Sequence, residues 1–302
     1  MAVALTGDGH CALGVRRPTA GPIRASLWHM GIGRNRAVCG LVLAAVLAGC
    51  SSTSPGAPTA EPAPLPADQI VFAVSSGPGY SPTIMFALQS PAIAIYGDGR
   101  ILVRNPPENY DLPGSYSVSR VEPAEVAGFV AATEAGGLIS PLTDAGDPQV
   151  TDLGNTTFTL HADTAPATLS VYAYGSRFTE GLSADEKAVR ARLADLVDTA
   201  RGLSDGRPTE DLVPDEVTVF ELEAAENPAA TIPWPGPDPD EFLTGRSPVY
   251  GVERCGVLRG PAAATVHSAS LDNRGAAWLV DGANRVLVVN PLPFGGVSCE
   301  SG

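Results

Sequence analysis

Few residues in this 302-residue chain stand in patterns that could do chemistry. Beyond position 50 there are two histidines, His161 and His267, and two cysteines, Cys255 and Cys299. Acyl transfer through a serine or cysteine needs a base held beside the nucleophile, and no Gly-x-Ser-x-Gly elbow occurs. The Gly79-Tyr80-Ser81-Pro82 and Gly245-Arg246-Ser247-Pro248 tetrads read as turns. His161 closes an alternating apolar run, where a histidine is an ordinary surface or cross-strand residue.

Zinc wants three or four His, Cys or acidic ligands at recognisable spacing, and neither His-Glu-x-x-His nor paired Cys-x-x-Cys is present. Calcium needs only oxygen, and Asp238-Pro239-Asp240-Glu241 gathers three carboxylates in one loop. The neighbouring prolines and the missing Asp-x-Asn-x-Asp-Gly pattern make it a solvated acidic loop instead. No glycine-rich phosphate cradle follows a strand. The sequence therefore points to no catalytic group, metal site or cofactor. One aromatic stands out: Trp234, in Ile232-Pro233-Trp234-Pro235-Gly236, is a candidate contact for a protein, peptide or glycan partner. The competing use is a plug on the core of a sheet, which is favoured because so apolar a loop is costly to leave in water. Trp278, inside an alternating run, reads as core.

Composition narrows the partners. Nineteen basic against 33 acidic residues give a net charge of −14, a field that disfavours nucleic acid. The chain is 44% hydrophobic and 17% charged, enough to bury a core, and no run reaches the roughly 18 apolar residues of a spanning helix.

Arg34 and Arg36 precede an apolar run from Ala37 to Ala48, which ends in Leu47-Ala48-Gly49-Cys50. This stretch resembles a bacterial lipoprotein precursor with its lipobox. The resemblance implies a signal peptide over 1–49, cleavage between Gly49 and Cys50, and diacylglycerol on the Cys50 thiol. That would place the protein on the extracytoplasmic face of the membrane, held by its acyl chains. Met30 stands where an ordinary n-region begins, so it reads as the true start, a long n-region being the alternative. Loss of the five arginines and one aspartate in 1–49 leaves 14 basic and 32 acidic residues, a net of −18. Anionic headgroups would repel such a domain, leaving attachment to the anchor. Beyond the leader, the exported part is similar in architecture and composition to uncharacterised lipoproteins of high-GC Gram-positive bacteria. In that oxidising exterior Cys255 and Cys299 are expected to pair. Closing their 44-residue separation would add roughly 4 kcal/mol on the chain-entropy account.

The elements that must position these residues follow from pattern. Residues 50–68 hold the cysteine and a proline-rich tether. Over 69–203, Ile70–Val74, Ile93–Tyr96 turning through Gly97-Asp98-Gly99 into Ile101–Val103, and Tyr116–Val121 read as strands. A helix opens at Glu122-Pro123 and stops at Gly136-Gly137. Thr156–His161 and Ala167–Tyr174 form a hairpin, and Ser183-Ala184-Asp185-Glu186 is a capping box for a helix to Gly202. Residues 204–216 form an acidic connector. Over 217–302 helical signals fade: Val217–Leu222, Ala264–Ser270, Ala276–Val280 and Arg285–Val289 suggest a meander. The expected fold is α+β, an antiparallel sheet with two helices followed by a β-rich C-terminal segment with one disulfide. The expected role is a binding or structural module of the cell envelope. A carboxylate-based or calcium-assisted hydrolase of envelope polymers is the alternative, and an accessory subunit of an envelope complex or sensor a third reading.

Overall fold

The structure, a computed structural model, describes residues 64–105, 114–161, 166–175, 177–223, 231–247, 249–294 and 299–300. All of them belong to one compact unit, Pro58–Gly302. Residues 1–63, which hold the expected signal peptide, Cys50 and most of the expected tether, lie outside the described residues. No helix among the described residues is long and apolar enough to cross a membrane.

The fold is α+β. A seven-stranded antiparallel sheet is built from β1 (Ile70–Ser76), β2 (Pro91–Tyr96), β3 (Arg100–Arg104), β4 (Tyr116–Arg120), β5 (Asn155–Leu160), β6 (Ala167–Tyr172) and β7 (Glu210–Asp211). Their spatial order is β6-β5-β1-β2-β3-β4-β7. β1 lies in the middle with Val71 to Val74 buried, which is why it reads as a continuous apolar run. The Gly97-Asp98-Gly99 turn joins β2 to β3 as expected, and Gly99 takes the positive φ of 91° that the turn requires. Within the stretch expected to be tether, Leu65 packs against the first core, and Asp98 N–H donates to the Ala67 carbonyl.

Two helices cover one face. α2 (Pro123–Gly136) begins with proline in its first turn, ends at Gly137 in the left-handed conformation, and turns Val126, Phe129 and Val130 inward. Its Phe129 meets Phe72 of β1 edge-to-face at 5.1 Å. α3 (Ala184–Gly202) carries the reciprocal capping box of Ser183 and Glu186 and buries Leu193, Val197 and Ala200. Arg190 of α3 donates to the carbonyls of Ala145, Gly146 and Tyr172, tying the helix to the loop and strand below it. The connector is partly sheet: Glu210 and Asp211 pair with Val118 and Ser117, so β7 stitches it to an edge.

The C-terminal part forms a second sheet from β8 (Glu216–Leu222), β9 (Thr231–Pro233), β10 (Val252–Arg259), β11 (Ala277–Val280) and β12 (Ala283–Asn290), in the order β10-β8-β12-β11-β9. Among the described residues, only the β9–β11 pair is parallel. Cys255 and Cys299 are bonded, with Cα atoms 5.7 Å apart. The expectation for Ala264–Ser270 is corrected: these residues lie in a helix, α5 (Pro261–Asp272), not a strand. Proline at its first position and three alanines favour a helix, and Ala263 and Val266 complete a stripe that packs on Val217, Val219 and Leu258. A short helix α1 (Thr83–Ala87) covers the opposite face, with Ala87 and Leu88 against Phe220, Leu222 and Val288. Another, α4 (Pro239–Phe242), lies in the proline-rich loop.

Candidate functional site

A cleft of about 840 Å³ lies where α5 faces the β4–β7 edge, lined by Ser115 and Tyr116 on one side and by Ala264, His267 and Leu271 on the other. The last three recur every three or four residues along α5, so one helical stripe forms that wall. The other stripe, with Ala263 and Val266, is committed to the second core. The connector closes the cleft's end with Leu212, Val213 and Pro214.

His267 is the polar centre of this cleft. It is 2% exposed, and its Nε2 has no hydrogen-bond partner. Burial lowers its pKa below the ordinary 6.5, partly offset by a hydrogen bond to the Gly114 backbone. With Nε2 unpartnered, Nδ1 is the ring nitrogen left to meet the Gly114 backbone, and a carbonyl there would call for the proton on Nδ1. Nε2 therefore presents a lone pair. An unused acceptor buried at this depth wants a donor, an O–H or N–H, from whatever enters. Asp211 and Asp272 also line the cleft, and no cation does, so a neutral or positively charged ligand suits it. Ser268, the next residue on the helix, also lines the cleft.

The other candidates are placed as follows. His161 is half-buried at the end of β5 with a pKa lowered by burial, away from His267's cleft wall. Trp234 is half-buried against the second core, and its ring stands 5.2 Å from that of Trp278. Its Nε1 donates to the Pro237 carbonyl within its own loop. Trp278 is buried and donates to Leu287. Asp238 caps α4, and Asp240 pairs with Arg254 at 2.8 Å and Arg285 at 3.1 Å, so this loop spends two of its three carboxylates on structure. No group of three or more His, Cys, Asp or Glu side chains placed to hold a metal occurs among the described residues.

A buried ion-pair network went unread in the sequence. Glu221 of β8, its side chain 8% exposed, meets Arg254 of β10 at 2.7 Å and Arg285 of β12 at 2.6 Å. Burial would raise its pKa, but hydrogen bonds from Arg285 and Arg254 outweigh that and hold it below 4.5. Asp240 is held low too, chiefly by its hydrogen bond from Arg254. Carboxylates pinned in the ionised state by two arginines brace a sheet; they do not act as general acids. The signal was in the sequence only as Glu221 falling on the inward row of Val217, Val219 and Glu221.

No protein-family model matches the chain, nor does any curated protein or solved structure.

Proposed function

We propose that the protein is a lipid-anchored module of the cell envelope that binds a hydroxyl- or ammonium-bearing peptide or glycan ligand in the cleft beside α5. The anchoring half of this reading rests on Arg34, Arg36, the apolar run and Leu47-Ala48-Gly49-Cys50. The binding half rests on one observation, the buried His267 imidazole, which lines this cleft and whose Nε2 has no hydrogen-bond partner. The two carboxylates there favour donors and cations over anions. A hydrolase is the weaker reading, because Glu221 and Asp240 share their arginines and are both held ionised.

Two experiments test the two halves separately. Cys50→Ser should abolish incorporation of labelled palmitate and release the protein from the membrane fraction; palmitate missing from the unmutated chain would end the anchor reading. For the cleft, nitrogen NMR of His267 during titration with oligosaccharide and short peptide amines should show Nε2 moving to a hydrogen-bonded shift. His267→Phe should remove that binding, and an Nε2 signal indifferent to every such ligand would sink it.

A further inference from the structure

We infer that a second cleft, formed around Arg104, binds a small carboxylate-bearing ligand. This does not rest on the His267 reading, since the two clefts share no lining residue. Arg104 ends β3 and lies across the backbone of Gly114, where an added Cβ would stand 2.6 Å from its Nε. That Nε is shut off from solvent without a hydrogen-bond partner, and no ion pair involves Arg104 among the described residues. Acidic side chains outnumber basic ones by 33 to 19, so a buried guanidinium nitrogen without a carboxylate is not for want of acids. A donor left in that state costs stability, and Arg104 is the one cation among the described residues that line the cleft, its guanidinium uncommitted to any acid.

The cleft, about 380 Å³, has a rigid wall and a soft one. The rigid wall is backbone: a Cβ at Gly154 would fall 1.8 Å from the Gly77 carbonyl, and one at Gly79 would fall 2.5 Å from that of Asp152. Two chain segments thus press together so closely that only glycine fits, and the wall cannot be reshaped by side chains. The soft wall is Met85 and Leu88. Tyr80, between the lining residues Gly79 and Ser81, is 92% exposed and does not itself line the cleft.

A cation beside an apolar wall matches a monocarboxylate carried on a small ring or short chain. One guanidinium edge meets one carboxylate through two parallel N–H···O bonds. A phosphate dianion would find a single cation and Asp152 on the same rim, so it fits worse. A sugar acid and an acylated amino acid offer the same group, and the experiment separates them.

The full chain in detergent would be titrated with glucuronate, N-acetylglycine and inorganic phosphate, followed by calorimetry and amide NMR. Saturable binding of either carboxylate, shifting the amides of Gly77, Gly79 and Gly154, is expected, with phosphate about tenfold weaker or worse. Glucuronate alone would identify a sugar acid, and N-acetylglycine alone a peptide terminus. Arg104→Met should abolish binding without lowering the melting temperature, because the buried donor goes with the charge. Arg104→Lys, which keeps the charge but loses the planar edge, should weaken binding about tenfold and serves if the methionine variant does not fold. The proposal is overturned if neither carboxylate saturates, if phosphate binds as tightly, or if both variants bind like the parent.

Discussion

Asn290, at the end of β12, donates from Nδ2 to the carbonyl of Ala87 in α1, 203 positions earlier in the chain, at 2.9 Å. The same amide donates to Gln89, while its Oδ1 accepts from Ser90 and from the Leu292 amide. Asn290 is fully buried and every polar atom of its side chain is used. Asn290→Ala would strand several of those partners in the interior, at about 2–4 kcal/mol. Urea unfolding followed by fluorescence and circular dichroism should show that loss in a single shared transition. Two transitions in the parent protein would mean that the two sheets fold independently.

The Cys255–Cys299 bond should contribute about 2–4 kcal/mol. Cys255 is fully buried between β8 and α1, so a reductant reaches it only when the region opens. Non-reducing peptide mapping should recover the two cysteines joined, and dithiothreitol should act slowly in native buffer and quickly in denaturant. Equal reduction rates in both would show that α1 does not shield the bond.

Glu221→Gln should cost about 3 kcal/mol, since it removes the partner of two arginines, one of them nearly buried. The pH dependence has a definite sign. Because the folded pKa lies below the ordinary 4.5, the carboxylate's contribution is complete above that value and is lost as pH falls through the depressed one. The parent should therefore destabilise more steeply in acid than the glutamine variant. Parallel acid-unfolding curves would remove Glu221 from the account.

His267 gives a second, milder window. With its folded pKa below 6.5, the unfolded chain binds the proton first, so stability declines as pH drops under 6.5. His161 is shifted in the same direction and adds to the slope. His267→Gln should flatten part of the fall in melting temperature between about pH 7.5 and 5.5. An unaltered slope would show that the ring protonates freely in the folded state.

Trp234→Ala should lower stability by about 2–4 kcal/mol through lost packing on Trp278 and the second core. If the variant instead kept full stability, the ring would be free to serve as a partner contact.

The first half of the fold was legible because its signals are local. Ser183 and Glu186 announce α3, Gly137 ends α2, and the Gly97–Gly99 turn sets a hairpin, each by chemistry within a few residues. The second half depends on contacts between distant positions. β10 hides behind Glu253, Arg254 and Gly256, and the half-exposed Arg254 takes its place in the strand by pairing with Glu221 across the ladder. β7 is two acids with no strand propensity, ordered by β4 alone. Small residues through α5 support either period, so His267 could not be assigned to a cleft wall from its neighbours. Arg104 carried no signal at all, because its distinction is the lack of a partner.

The docking of Leu65 and Ala67 beside the Gly97–Gly99 turn also bears on how the fold would answer a pull on its N-terminal side. Tension arriving from the N-terminal side passes straight into β1, which is flanked by β2 and β5 rather than exposed at a border. Pulled along its length, that strand must break its bonds to both neighbours together instead of peeling them one at a time. Drag on the C-terminal sheet would therefore be transmitted through the strand best placed to resist it.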